Sequence, residues 1–367
     1  MPKKNDIKHL ILPHLQNPFG YEGVKPLEEI LLKGNMKPSE VIRLNGNENS
    51  FGPSPKVAEA LGCFEDYNRY PDPNQRVLRD SLSIYLGVSP VNIVAGNGSD
   101  ELIDLIIRMF VGPGDNIIEP TPTFGMYRFS ANLVKGNVIS VPRNDNFDLD
   151  VKQIAAAVDG RSKIIFIASP NNPTGNLATQ DQIIELLQLG IVVVVDEAYY
   201  EYCGETVIPL LSENPNLIIL RTFSKWAGLA GLRVGLGVMN PEIARLMMTI
   251  KPPYNMNRAA EVALLASLDD KELLLNQITP VIKERERLSL LCEYIDGVVA
   301  LPSHANYLLI RLPKGRGKEI YLGLADLGVF VRYYDDPDLV DCIRVSVGQP
   351  YETDRFIMAL KELLGVD

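Results

Sequence analysis

The sequence predicts an α/β fold: a large domain on a mostly parallel, doubly wound sheet, then a smaller α+β domain. Three observations predict it. Between about 91 and 239, short apolar runs alternate with helical periods, the pattern of βαβ units. Those runs are nearly continuous in Ile and Val, as strands covered on both faces require. Beyond 256 the alternation stops, and helices mix with short strands in no fixed order.

The elements follow in order. The first 40 residues hold prolines at 13, 18, 26 and 38 and read as an arm, 1–40, that takes its stability from elsewhere. The large domain is expected over 41–255 and the small one over 256–367. Strand candidates in the large domain are "VNIVAG", "NIIEP", "KIIFIAS", "IVVVVDEAY", "NLIILRTFS" and "VGLGVM". Helices such as "SDELIDLIIRMFVG" and "TQDQIIELLQLG" separate them. The second of these opens on a capping box, Thr179 with Gln182, and stops at Gly190. Residues 258–295 read as one or two long amphipathic helices. The strands "GVVALP", "ANYLLIRLP", "GVFVRYY" and "CIRVSVG" and a final helix complete the chain.

Composition narrows the function. The chain has 367 residues and a net charge of −10, which argues against nucleic-acid and anionic-membrane partners. An anionic small substrate stays possible, because a local field can oppose the global sign. The N-terminus offers too small an apolar patch for a signal peptide, and the run "IVVVV" is stopped by Asp196, so no membrane span is expected. Four scattered cysteines without C-x-x-C spacing suggest reduced thiols and a cytoplasmic protein. Three histidines in no ligand spacing leave neither a metal site nor a Ser-His-Asp triad to expect.

In doubly wound sheets, ligands sit at the carboxyl ends of the strands. Here those ends read "AGNGSDE", "SPNNPTG", "VVVVDEAYY" and "LRTFSKW", each turning polar or glycine-rich. Asp196 ends the most apolar strand, where a carboxylate stays ionised only beside a cation or strong donors. Its bland reading is a cap or a structural ion pair. Lys225 ends a neighbouring strand, and a desolvated lysine tends towards the neutral, nucleophilic amine. An amine for an aldehyde and a carboxylate for a pyridinium nitrogen are what pyridoxal phosphate requires. "GNGSDE" opens a helix near Ser99, whose amides suit a phosphate or make a plain helix start. Gly96-x-Gly98 allows a dinucleotide reading, but Glu101 stands where the third glycine belongs.

The pieces carry a family spacing. "SPNNPTG" leads, Asp196 of "DEAY" lies 24 residues beyond Asn172, and Lys225 lies 29 beyond Asp196, followed by "GLAGLRVG". This resembles the fold type I aminotransferases of pyridoxal phosphate over roughly 20–350. Within them it is most similar to the histidinol-phosphate aminotransferase family, through "YEGVKPLEEI", "IRLNGNENSFGPSP", "NRYPDPNQRVLRDSLSIYLGV", "GNGSDELIDLI", "PTPTFGMY" and "IRVSVG".

The resemblance implies an aspartate aminotransferase-like architecture with a seven-stranded sheet, and it implies residue roles. Lys225 would carry the cofactor's aldehyde and shuttle a proton between substrate Cα and cofactor C4′. Asp196 would keep the ring nitrogen protonated. Tyr199 and Asn172 would bond the phenolic oxygen, and Phe124 would stack on the ring. The amides of Ser99 and Asp100, with Ser224 and Arg233, would hold the phosphate; the Asp100 carboxylate should then point away or cap the helix. Tyr70 would reach the phosphate of a partner subunit's cofactor, which implies a homodimer with shared sites. Arg344 and Arg332 would grip the substrate anion, and Tyr21 would come from the other subunit's arm. Phe124, where relatives often have Tyr, and Leu236, where "RVGY" is common, depart from the family and would alter amine specificity.

The implied reaction is transamination of histidinol phosphate with 2-oxoglutarate, giving imidazole acetol phosphate and glutamate, in histidine biosynthesis. Aromatic amino acid transamination and O-phosphothreonine decarboxylation are the alternatives of the same build. A cofactor-binding protein without turnover and a nucleotide-binding dehydrogenase are alternatives of other classes.

Overall fold

The computed structural model describes residues 7–16, 20, 23, 28, 29, 31 and 36–366. The strands, in chain order, are β1 (Ile42–Arg43), β2 (Ile93–Asn97), β3 (Asn116–Thr121), β4 (Asn137–Pro142), β5 (Ser162–Ala168), β6 (Val192–Asp196) and β7 (Leu217–Thr222). Then come β8 (Val234–Met239), β9 (Val299–Ala300), β10 (Tyr307–Arg311), β11 (Val329–Phe330), β12 (Arg332–Tyr333) and β13 (Cys342–Ser346).

Seven strands form the main sheet in the order β2-β8-β7-β6-β5-β3-β4. Only β8 opposes its neighbours, β2 and β7; every other pair is parallel. The fold is therefore the expected α/β class. The continuous apolar runs are explained by burial on both faces. Val193 and Val195 of β6 enter one core with Ile165, Ile167 and Ile219. Val194 enters the opposite core with Phe166, Ile218 and Leu220. Asp196 is two residues beyond Val194, so by strand alternation it faces that second side.

All six strand candidates exist, and the seventh strand, β4, was not legible. It is one of the two sheet edges, and unlike β2 at the other edge, four of whose five residues are buried, it buries only Val141, so its apolar signal is weak. The Thr179–Gln182 capping box forms as expected: Gln182 N donates to Thr179 Oγ1 at 3.2 Å and Thr179 N to Gln182 Oε1 at 2.9 Å. The helix ends at Leu187, and Gly190 makes the left-handed turn at φ 76°. The stretch 258–295 is three helices, not one or two: Arg258–Asp269, Lys271–Asn276 and Ile278–Glu293. Pro280 sits in the first turn of the last, where its missing N–H is tolerated.

A second, antiparallel sheet runs β12-β13-β10-β9. Its core gathers Leu308, Ile310, Ile343 and Val345 under the final helix, Pro350–Leu364. β1 pairs in parallel with β11, and Ile42 and Leu44 enter this second core. The segment after β1 is thus fastened to the C-terminal strands before the chain enters the large sheet. Among the described residues no helix is long and apolar enough to cross a membrane. All four cysteines are free thiols.

Candidate active site

The carboxyl ends of β2, β3, β5, β6 and β7 open on one cleft, with β12 and β13 closing its far side. It holds about 820 Å³ not filled by protein atoms, space open to solvent included. Lys225, Asp196, Tyr199, Asn172, Phe124, Ser99, Asp100, Ser224, Arg233, Arg332 and Arg344 all line it. One described residue of the expected set does not join them. Tyr70 is 79% exposed and stacks on Tyr254 with ring centres 4.4 Å apart. Tyr21 lies outside the described residues. Leu236 of β8 is buried in the core and does not line the cleft, because its strand position alternates away from it. It is therefore not a wall of the substrate pocket.

Asp196 is brought to the cleft floor by the final register of β6 against β5 and β7. Its carboxylate is buried and accepts two hydrogen bonds, from Tyr127 Oη at 2.7 Å and Ala198 N at 3.1 Å. Burial still raises its pKa to about 6, against the pull of those donors. A cation against this carboxylate would restore an ordinary value.

Lys225 follows β7 through the turn Phe223–Ser224. Its Nζ donates to Gly46 O at 3.1 Å and lies 5.9 Å from the Tyr199 ring centre. Burial, and then the charge of Arg344, lower its pKa to about 8. A buried base lowered towards neutrality and a buried acid raised towards it, in one cleft, are the perturbations expected of proton-transfer chemistry.

The helix Ser99–Phe110 starts at the cleft with Gly98 as its N-cap, at φ 82° and with no side chain capping it. Its first amides are therefore left for an anion. Arg233, held in the left-handed region at φ 55°, reaches over this end. The Asp100 carboxylate makes an ion pair over this end and not a helix cap: Arg233 Nη2 donates to Asp100 Oδ2 at 2.8 Å. A guanidinium so close makes a carboxylate the better partner than a backbone amide. Ser224 Oγ, on the same wall, shares a hydrogen bond with Thr222 Oγ1 at 2.9 Å, and Thr222 Oγ1 also lies 3.1 Å from Val234 O.

On the far side Arg344 of β13 is buried, with Nη1 donating to Asn172 Oδ1 and Nη2 to Asn45 O, each at 2.7 Å. Arg332 of β12 pairs directly with it in the sheet register. Four cations thus line the cleft against the carboxylates of Asp100 and Asp196, a local field opposite in sign to the chain's net charge.

Three contributors went unread. Tyr127 supplies the strongest donor to Asp196; it stands in "PTPTFGMY", three residues after Phe124, which it meets edge to face. Gly46 and Asn47 enter from the segment after β1, and only the three-dimensional pairing of β1 with β11 brings them there.

The geometry can be set beside known proteins. The model of the family "Aminotransferase class I and II" matches residues 39–360. The chain belongs to this family. It is also 43% identical, over 97% of its length and 99% of the relative's, to the histidinol-phosphate aminotransferase of Roseiflexus castenholzii. The chloroplastic histidinol-phosphate aminotransferase of Nicotiana tabacum is 42% identical over 96% of this chain and 86% of that protein. Within the aminotransferases the chain is thus a member of the histidinol-phosphate aminotransferase family. A crystal structure of histidinol-phosphate aminotransferase from Sinorhizobium meliloti, in complex with pyridoxal-5'-phosphate, superposes with a TM-score of 0.87 at 28% identity, covering 97% of each chain.

The residues present fit that cofactor on their own chemistry. A buried carboxylate without a cation suits a protonated ring nitrogen. An uncapped helix N-terminus beside Arg233 and Ser224 suits a phosphate. A buried amine lowered to about 8 suits an aldehyde.

Proposed function

We propose that this aminotransferase moves the amino group of histidinol phosphate to 2-oxoglutarate, giving imidazole acetol phosphate and glutamate, with pyridoxal phosphate as cofactor. One observation carries the reading: Lys225, with its lowered pKa, shares a cleft with the buried Asp196 and with Arg344 and Arg332.

When bound, pyridoxal phosphate supplies the electrophilic aldehyde and the sink for the electrons of the substrate's Cα–H bond. Lys225 gives the amine and then takes and returns the proton at Cα. Asp196 keeps a proton on the ring nitrogen, with Tyr127 and Ala198 fixing the carboxylate. Tyr199 and Asn172 address the phenolic oxygen, and Phe124 covers the ring. The amides of Ser99 and Asp100, with Ser224 and Arg233, take the phosphate, and the Asp100 carboxylate holds the Arg233 guanidinium in place. Arg344 presents a planar fork to the substrate anion, and Arg332 adds a second charge. Histidinol phosphate has no carboxylate, so its phosphate must use the anion site that the carboxylate of glutamate also uses.

The assembly proposed is a homodimer in which Tyr70 and Tyr21 serve the partner's cleft. Its support is the exposure of Tyr70, which lies on an aromatic surface with Tyr254 and outside its own chain's cleft. The division into an arm at 1–40, a cofactor-binding domain at 41–255 and a small domain at 256–367 is proposed with it. The segment at 42–44 packs on the small domain. A cytoplasmic, reducing location suits the four free thiols.

The test is to supply histidinol phosphate and 2-oxoglutarate to the loaded enzyme and to follow glutamate. Lys225→Ala should lose at least about 10²–10⁴-fold in turnover. Absence of glutamate from the wild-type enzyme, or an unaffected Lys225→Ala, contradicts the reading.

A further inference from the structure

Asn47 lies in "RLNGNEN" and has been given no role so far. It is 1% exposed and holds a left-handed backbone at φ 51°, which asparagine tolerates better than most residues. Its N–H donates to Ser346 Oγ at 2.9 Å, and Ser346 Oγ donates to Asn47 Oδ1, also at 2.9 Å. A hydroxyl has one proton. Turned over, the amide would offer Nδ2 to the second lone pair of Ser346 Oγ and leave the buried serine proton with no acceptor among the described residues, so it is Oδ1 that faces the serine. Nδ2 is then left facing Tyr199, to whose Oη it donates at 2.9 Å. Asn306 Nδ2 holds the Asn47 carbonyl at 3.1 Å. Amide orientation is otherwise a free choice; here the two bonds to one serine settle it.

The consequence falls on Tyr199. Its oxygen already receives a donor from Asn47, so its own O–H must be given elsewhere. Among the described residues the hydroxyl makes no other hydrogen bond, and Tyr199 lines the cleft. Burial pushes the phenol well above its usual range, although Arg344 and the Asn47 bond draw it partly back, so the proton stays on.

We propose that Asn47, locked by Ser346, is a positioning residue that compels Tyr199 to act as a hydrogen-bond donor into the cleft, towards the phenolic oxygen of bound cofactor. The inference rests on the reading of Tyr199 as the phenol that addresses that oxygen. It also ties that phenol to the anion grip. Ser346 and Arg344 are two residues apart on β13 and so share one face of the strand. Both the lock and the grip therefore belong to one element of the C-terminal sheet.

The measurement is the pH midpoint of the visible absorbance band of the bound cofactor. Losing a donor to the phenolic oxygen leaves its charge to hold the chromophore's proton alone, so the midpoint rises. Tyr199→Phe should raise it by roughly one pH unit, the size of one hydrogen bond to a charged acceptor. Asn47→Gly, which accepts the left-handed backbone, should raise it in the same direction. In the Tyr199→Phe background it should add nothing. Ser346→Ala frees the amide to turn and should shift the midpoint part of the way; Ser346→Thr, which keeps the hydroxyl, should restore it. If Asn47→Gly fails to hold cofactor, the two Ser346 variants decide. A shift in Tyr199→Phe with none in Asn47→Gly or Ser346→Ala overturns the proposal, as does an additive shift in the double variant. An unmoved midpoint in Tyr199→Phe itself removes the cofactor-facing role of Tyr199 and leaves the reaction assigned above standing.

Discussion

Asp196 shows how a single residue can be costly to the empty fold and necessary to the working one. Its pKa, raised from 3.8 to about 6 by burial, means that the native state without cofactor binds a proton more tightly than the unfolded chain. Stability therefore falls as pH rises from about 4 to about 6, and the cost is fully present above that. The shift corresponds to about 2–3 kcal/mol. Asp196→Asn keeps an acceptor for Ala198 and removes the charge. Without cofactor the variant should unfold at a higher temperature than wild type at pH 7, and the gap should close near pH 4. With cofactor bound the order should reverse, because the wild-type carboxylate then faces a cation. Thermal unfolding of both proteins, with and without cofactor, checks this. A less stable Asp196→Asn at pH 7 without cofactor would make Asp196 a structural residue.

At the scale of elements, the cleft depends on how closely β8 passes the start of the helix Ser99–Phe110. A Cβ on Gly235 would collide with Ser99 N and Gly98 C, and a Cβ on Gly98 with the Arg233 guanidinium. β8 and the helix start are thus in direct backbone contact, and the Arg233 side chain packs on Gly98. Gly235→Ala should push the helix start away and weaken cofactor binding by about 1–3 kcal/mol, the usual cost of overpacking, with little loss of secondary structure. Cofactor titration followed by absorbance reads it, and an unchanged dissociation constant contradicts it.

This scale also shows what the sequence could and could not say. β6 and β7 announced themselves because both faces are buried, and Asp196 and Lys225 were legible as the polar residues that end such runs. β4 was not, since it buries only Val141, whereas β2 at the opposite edge buries four of its five residues. Tyr127 was visible as a residue but not as the donor to Asp196, a contact 69 positions apart in the chain. Asn47 was hidden further, since its role needs Ser346, 299 positions away. The ion pair of Asp100 with Arg233 was not legible, because helix-start logic alone does not include a cation arriving from another strand.

For the whole molecule, the proposed homodimer makes a prediction that no single chain can satisfy. Tyr70→Phe should damage the cleft of the partner, whereas Lys225→Ala damages its own. Mixed dimers of the two variants would then contain one cleft with neither lesion. Activity should return on mixing and refolding, to a fraction of wild type set by the heterodimer share. Confirmed heterodimers without activity would mean that each cleft is built within one chain.

The central claim is the chemistry of the amino donor, and a half-reaction tests it most directly. The enzyme loaded with pyridoxal phosphate is mixed separately with histidinol phosphate, glutamate, phenylalanine and phosphothreonine, and conversion of the cofactor to its amine form is followed by absorbance in a single turnover. Both histidinol phosphate and glutamate should convert it, through the one anion site at Arg344, with kcat/KM for both reduced in Arg344→Lys. Conversion by phenylalanine but not histidinol phosphate, or release of carbon dioxide from phosphothreonine, would contradict that claim.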